Sequence, residues 1–111
     1  MGILKHLINL SKVEGVMYHI LVDKNGDTVI HNMTDYKKNA PMIARTWKGA
    51  YAIGKSRLKY VCFSRAKEND LFIFPVGNYL LGVIKHENIK ADQLADNVLN
   101  FIDRLLNKQP E

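Results

Sequence analysis

"VEGVMYHILVDKNGDTVIHN", Val13 to Asn32, is the stretch from which the fold can be read. Asn25-Gly26 sits between two apolar runs, and both residues tolerate positive φ, which makes this the strongest short-range sign of a β-hairpin. "VMYHILV" (Val16–Val22) is nearly all apolar, as a strand covered on both faces is. "TVIHN" (Thr28–Asn32) is the returning strand. The "DKNGD" between them resembles a calcium loop only superficially. Counted from Asp23, its glycine comes fourth and Thr34 stands where the twelfth-position Glu belongs. It reads as a turn whose carboxylates bond local amides.

Upstream, Ile3, Leu4, Leu7, Ile8 and Leu10 have helical spacing, so a short amphipathic helix is expected over residues 3–13, broken at "VEG". Downstream, "MTDYKKNAP" is polar and ends at Pro41, which suits the first turn of a helix, with Thr34 or Asp35 available to cap an earlier start. Ile43, Trp47, Ala50 and Gly54 then recur at i, i+4, i+7, i+11, with Met42, Thr46 and Ile53 flanking, and predict a helix running to about Lys55. "YVCFS" (Tyr60–Ser64) is a short strand and "RAKEND" a polar turn. "LFIFPV" (Leu71–Val76) is a strand that Pro75 ends, and Gly77-Asn78 turns the chain into "YLLGVIK" (Tyr79–Lys85). A last helix carries Leu94, Val98, Phe101 or Ile102, and Leu105 on one stripe, with Asp92, Asp96, Asp103 and Arg104 mostly off it.

The predicted order is α-β-β-α-β-β-β-α, an α/β sandwich: a five-stranded antiparallel sheet with helices on both faces. The 111 residues make one domain, 1–111, without repeat or linker. No apolar run is long enough to span a bilayer. The N-terminus "MGILKHLINLSK" lacks the pattern of a signal peptide, and His6 replaces the Ser or Thr that a myristoylation motif wants. A single cysteine, Cys62, fits a reducing compartment, so a cytoplasmic protein is expected.

Charge is unevenly placed. The chain carries a net +5, yet residues 37–67 hold nine basic side chains and no acid, and the remainder carries seven basic residues against all 11 acids. Such asymmetry points to an acidic partner. The competing account is a face of solvated lysines.

Catalytic motifs do not assemble. "GAYAIGKS" (Gly49–Ser56) matches the phosphate-loop string G-x-x-x-x-G-K-S. A true phosphate loop follows a strand and opens a helix, whereas here a helix precedes and a strand follows, so no nest of amides is expected. His6, His19, His31 and His86 are scattered. His19 and His31 lie on adjacent predicted strands, but no third ligand stands at a metal-binding spacing. Cys62 lies in an apolar strand with no activating neighbour, as a buried inert thiol does. No cofactor, metal or catalytic group is expected, and the chain reads as a non-enzyme. Trp47, Tyr51 and Tyr60 interleave with the basic residues as stacking on nucleic acid would want, but no nucleic-acid motif accompanies them.

"VEGVMYHILVDKNGDTVIHN" resembles the opening of Roadblock / dynein light-chain domains, in which a short helix leads into V-x-G, an apolar strand and an Asp-x-x-Gly hairpin. "YLLGVI" after a polar turn resembles that family's last strand, and the likeness covers residues 3 to 106. The resemblance implies a dimer, homo- or heteromeric across the family and expected of this chain as a homodimer, in which the middle helices of two subunits pack together and the third strands pair edge to edge. It also implies binding of a small Ras-like GTPase without an active site of the domain's own. The bacterial MglB proteins of this family stimulate GTP hydrolysis by their GTPase. The C-terminal extension that some such members use is not found after the last helix, which favours binding over stimulation.

Carried onto this chain, "YVCFS" becomes the pairing edge, with Tyr60, Cys62 and Ser64 at the interface. An apolar edge strand is an aggregation hazard that dimerisation covers. Ile43, Trp47, Ala50 and Gly54 form the expected helix face, small residues permitting close approach and tryptophan supplying area. Arg45, Lys48 and Lys55, at another angle, are the expected contacts to the acidic partner. Pro41 and its polar lead-in are expected to shorten the middle helix. The alternative function is a ligand-sensing or nucleic-acid-binding domain that uses the basic segment 37–67.

Overall fold

The computed structural model describes residues 7–54, 59–65 and 68–107. A 3-10 helix (Ile8–Lys12) leads into β1 (Val16–Val22) and β2 (Thr28–His31). Helix α1 (Tyr36–Gly54), strands β3 (Val61–Arg65), β4 (Glu68–Val76) and β5 (Tyr79–Lys85), and helix α2 (Ala91–Asn107) complete the chain. The strands form one antiparallel sheet in the order β2-β1-β5-β4-β3. Strands β2 and β3 are the two edges, so α1 leaves one edge and crosses a face of the sheet to deliver the chain to the other. The expected sandwich and its antiparallel sheet are what the chain adopts.

The hairpin forms where Asn25-Gly26 called for it. Gly26 has φ +89°, in the left-handed region that glycine enters without strain. Asp23 anchors the turn, its Oδ1 accepting from the amides of Asn25 (2.9 Å) and Asp27 (3.0 Å). These are the local carboxylate–amide bonds expected of this turn.

Alternation along the central strands divides the core in two. Leu71 and Ile73 of β4 join Ile20, Val22, Leu80, Ile84 and, from α1, Ala40 and Ile43. Phe72, Phe74 and Val76 face the other way, with Leu21, Leu81 and Val83 beneath Leu94, Val98, Ile102 and Leu105 of α2. Ile102, rather than Phe101, takes the inward place on α2, and Phe101 packs at its margin. Leu7 and Leu10 close the same side as α2. Of the N-terminal helix expected over 3–13, Leu7 is α-helical and Ile8–Lys12 continue as a 3-10 helix; residues 3–6 lie outside the described part.

Two expectations are corrected. Helix α1 is not shortened: it runs 19 residues and encloses Pro41. The amides of Lys38 and Asn39 bond the Asp35 carbonyl (3.1 Å each), so the helix is under way before the proline. Proline's fixed φ suits a helix, and its missing N–H falls on the exposed side, where water can serve the Lys37 carbonyl. Strand β4 starts at Glu68, not Leu71. Polar Asn69 belongs to the sheet because its Nδ2 donates to the Lys85 carbonyl at 2.8 Å. Arg65 stands opposite Glu68, so Arg65 and Glu68–Asp70 of the expected "RAKEND" turn belong to strands, and residues 66–67 lie outside the described part.

Candidate interaction surface

Helix α1 lies over β1, β2 and β5. Its N-terminal half is the anchored half, with Asn39, Ala40 and Ile43 buried. Asn39 Nδ2 donates to the Asp35 carbonyl at 3.1 Å and meets the Met33 sulfur at 3.5 Å, which satisfies a polar group in an apolar setting. Beyond Ile43 burial falls away. Trp47 is half-buried on the margin of the core and stacks with Tyr51, ring centroids 6.3 Å apart. Ala50 and Gly54 are half-buried, while Tyr51 is 47% exposed and Ile53 88%.

The expected helix face is therefore split. Ile43 is fully buried in the chain's own core and offers no surface to a partner. Trp47, Ala50 and Gly54 are partly accessible. One step round the helix, at the same i, i+4, i+7, i+11 spacing, Met42 and Thr46 are half-buried, Met42 packing on the core, while Gly49 and Ile53 are exposed. A Cβ added at Gly49 would meet nothing within 4 Å, so this stripe is open at its middle.

Strand β3 is an edge, hydrogen-bonded to β4 alone. Cys62 and Ser64 are exposed on it. Phe63 is 37% exposed and pairs with Leu71, which places it on the α1 side of the sheet, where the helix lies over β1, β2 and β5. Cys62 pairs with Phe72, on the α2 side. Desolvation, then the Asp70 carboxylate, push the Cys62 thiol up, with Lys85 pulling the other way. That is the reverse of an activated nucleophile. Cys62 is exposed, not buried as the sequence suggested. Tyr60, expected on the edge, precedes β3 and packs its ring on Phe72 and Phe74 at 6.0 and 5.5 Å. It is largely committed to the α2-side core.

The cations stand out from this surface. Lys37, Lys38, Arg45 and Lys48 are all exposed on α1, and α1 contains no acid. Lys55 lies outside the described residues. The phosphate-loop string is answered by its backbone: Gly49–Gly54 are helical, so their amides are engaged along α1 and form no nest.

The two strand histidines do not make a metal site. His31 stands opposite Ile20, stacks on Tyr36 at 3.8 Å, and accepts from the Met33 amide through Nδ1 at 3.3 Å. His19 is buried, its Nδ1 has no hydrogen-bond partner among the described residues, and burial, then His31, hold its pKa below the usual value. Among the described residues no group of three or more His, Cys, Asp or Glu is placed to hold a metal. No helix of the described residues is long and apolar enough to cross a membrane.

No family model matches the sequence. No curated protein matches it either. Solved structures do match in shape. MglB of Thermus thermophilus superposes with a TM-score of 0.74 at 15% identity, over 95% of this chain and 86% of that one. A Roadblock/LC7 domain of Streptomyces avermitilis gives 0.69 at 13%, over 87% and 88%. Profilin IB of Acanthamoeba castellanii shares the layout less closely, at 0.59 and 16%, over 90% and 92%. At these identities the likeness is one of fold. On that ground, and with the strand order and two-faced helical cover described above, the chain folds as a Roadblock/MglB-like domain.

Proposed function

We propose that the chain is a dimeric Roadblock-type adaptor that binds a small Ras-like GTPase in the cytoplasm and catalyses nothing itself. One observation carries the reading: the C-terminal half of α1 and residues Cys62–Ser64 of edge strand β3 are left accessible, with Tyr51, Ile53 and Phe63 exposed on the α1 side of the sheet. A second copy packing helix to helix and strand to strand covers both at once, and removes the unpaired edge. An MglB of the same fold solved in a tetrameric arrangement supports self-association. Contacts across the dimer fall to Trp47, Ala50, Gly54, Cys62 and Ser64, joined by Ile53 and Phe63. Arg45, Lys48 and Lys55 meet the GTPase. Because one fold serves several functions, the GTPase part rests on likeness to Roadblock and MglB structures.

Sedimentation equilibrium, with capture of purified Ras-like GTPases loaded with GDP or a non-hydrolysable GTP analogue, tests it. A dimer that retains one nucleotide state is the expected result. A monomer at micromolar concentration, or no GTPase retained in either state, overturns it. The acid-free α1 favours one second reading, a nucleic-acid-binding domain. Salt-sensitive retention on heparin and RNA, without GTPase capture, would select that instead.

A further inference from the structure

Across the sheet from α1, a groove runs between the 3-10 helix and α2, and neither the core nor the α1–β3 surface uses it. Its volume of about 380 Å³ is within the range of small-ligand sites. Two stripes of side chains line it. Asn97, Asn100, Phe101 and Arg104 recur at i, i+3, i+4 and i+7 and so share one flank of α2. Asn9 and Lys12 are three residues apart on the 3-10 helix, where such positions stand one above the other.

The groove has a built floor and a tied wall. Val13 and Phe101 are half-buried against the α2-side core. Asn97 Nδ2 donates to the Glu14 carbonyl at 3.1 Å, which joins the end of the 3-10 segment to α2. The groups left over are mostly donors. Among the described residues, the Lys12 ammonium, the Arg104 guanidinium and the side-chain amides of Asn9 and Asn100 make no hydrogen bond or ion pair. An arginine in the last turn of α2 also suits the helix dipole, yet this side chain lines the groove instead of capping a carbonyl.

Acids are few here and set apart from the cations. Glu14 is the one carboxylate of the lining. The bond from Asn97 holds its backbone two helical turns from Arg104, about 10 Å along α2. Asp96 and Asp103 neighbour Asn100 on the helix surface, but they and Asp92 are exposed and line no part of the groove.

We propose that this groove binds a small organic anion, a single carboxylate or phosphate head on a flat apolar body. Arg104 offers the head a planar fork of N–H donors and Lys12 a compact charge, with the Asn9 and Asn100 amides beside them. Val13 and the Phe101 ring take the body. Glu14, toward the other end, rejects a ligand with a second negative group there. The site is independent of the dimer and GTPase reading, whose residues are on α1 and β3.

The probes are benzoate and phenyl phosphate, with benzylamine as the cation of matching size and terephthalate as the two-headed anion. Each is titrated at millimolar concentration into the ¹⁵N-labelled chain, and amide shifts are followed by NMR. Benzoate, phenyl phosphate or both are expected to move the amides of residues 9–14 and 97–104, and the tighter of the two identifies the head as carboxylate or phosphate. Benzylamine is expected to leave those amides in place, and terephthalate to bind more weakly than benzoate. K12Q and R104Q should each weaken binding about tenfold, the loss of one charge-assisted contact. No shift with either single-headed anion, equal shifts with benzylamine, or titrations that both variants leave unchanged overturns the proposal. The contrast between benzoate and benzylamine needs no variant, so a poorly folded K12Q or R104Q leaves the test intact.

Discussion

Ile43 Cδ1 occupies the place where a side chain on Gly82 would begin. A Cβ built at Gly82 would lie 2.5 Å from it and 2.9 Å from Ile20 Cγ2. The centre of β5 is bare so that α1 can seat its one fully buried large residue, Ile43, directly on the sheet. Gly82→Ala is therefore expected to destabilise the fold by about 1–3 kcal/mol through overpacking. Adding Ile43→Val removes the clashing methyl, so the double variant should lose less than the sum of the singles. Urea unfolding of the four proteins checks this, and simple additivity would refute the packing account.

Ile43 and Ile53 have the same chemistry and opposite exposure, which separates stability from association. Ile43→Ala should cost about 2–5 kcal/mol of folding free energy. Ile53→Ser should change stability by no more than about 0.5 kcal/mol, yet weaken dimerisation at least about tenfold if its side chain is an anchor. Thermal melts and sedimentation, read side by side, distinguish the two.

In the proposed function the cations of α1 contact the partner. Arg45→Glu with Lys48→Glu should leave the melting temperature nearly unchanged and slow GTPase association, with a loss about tenfold or more at low salt. Surface plasmon resonance at several salt concentrations is the measurement. An unchanged association rate returns these residues to the role of solvated surface charge.

His19 links stability to pH. Its pKa in the folded chain is depressed, by burial first and by His31 second. The unfolded chain, with histidine near its ordinary value of about 6.5, binds the proton more readily. Stability from this residue is thus complete above about pH 6.5 and declines as pH falls from there toward the depressed value, where the decline levels off. His19→Gln should flatten that part of the profile. Chemical denaturation between about pH 5 and 8 tests the sign; a slope unchanged in the variant would assign it to other groups.

Much of the fold was legible because its signals are local. Asn25-Gly26 fixed the first hairpin, the apolar run Leu71–Phe74 marked a strand, and Leu94, Val98 and Leu105 gave α2 its inward stripe. The start of β4 was hidden because Asn69 and Asp70 are turn-like residues by type, and the bond from Asn69 to the Lys85 carbonyl, which helps hold this stretch in the sheet, is made to a residue distant in sequence. On α1 periodicity found the helix but not which way it faces. Ile43–Gly54 and Met42–Ile53 are adjacent stripes of similar character, and the sheet takes the first because Gly82 leaves a hollow for Ile43. That hollow belongs to a residue 39 positions away in sequence, beyond the reach of any local pattern.

The strand order also constrains how the molecule comes into being. Strand β5, the last to be synthesised, lies between β1 and β4. The β1–β2 hairpin therefore has no neighbour in the sheet until residues 79–85 have left the ribosome, and the β3–β4 pair waits beside it in the same condition. Joining them closes a loop that runs from Val22 to Leu80 in a single step, a long-range event of the kind that slows folding. Until that step, two unsealed pieces of sheet coexist on one nascent chain, and a segment such as Val16–Val22 is open to pairing with the wrong neighbour. Insertion of β5 is thus the act that turns two separate hairpins into one protein.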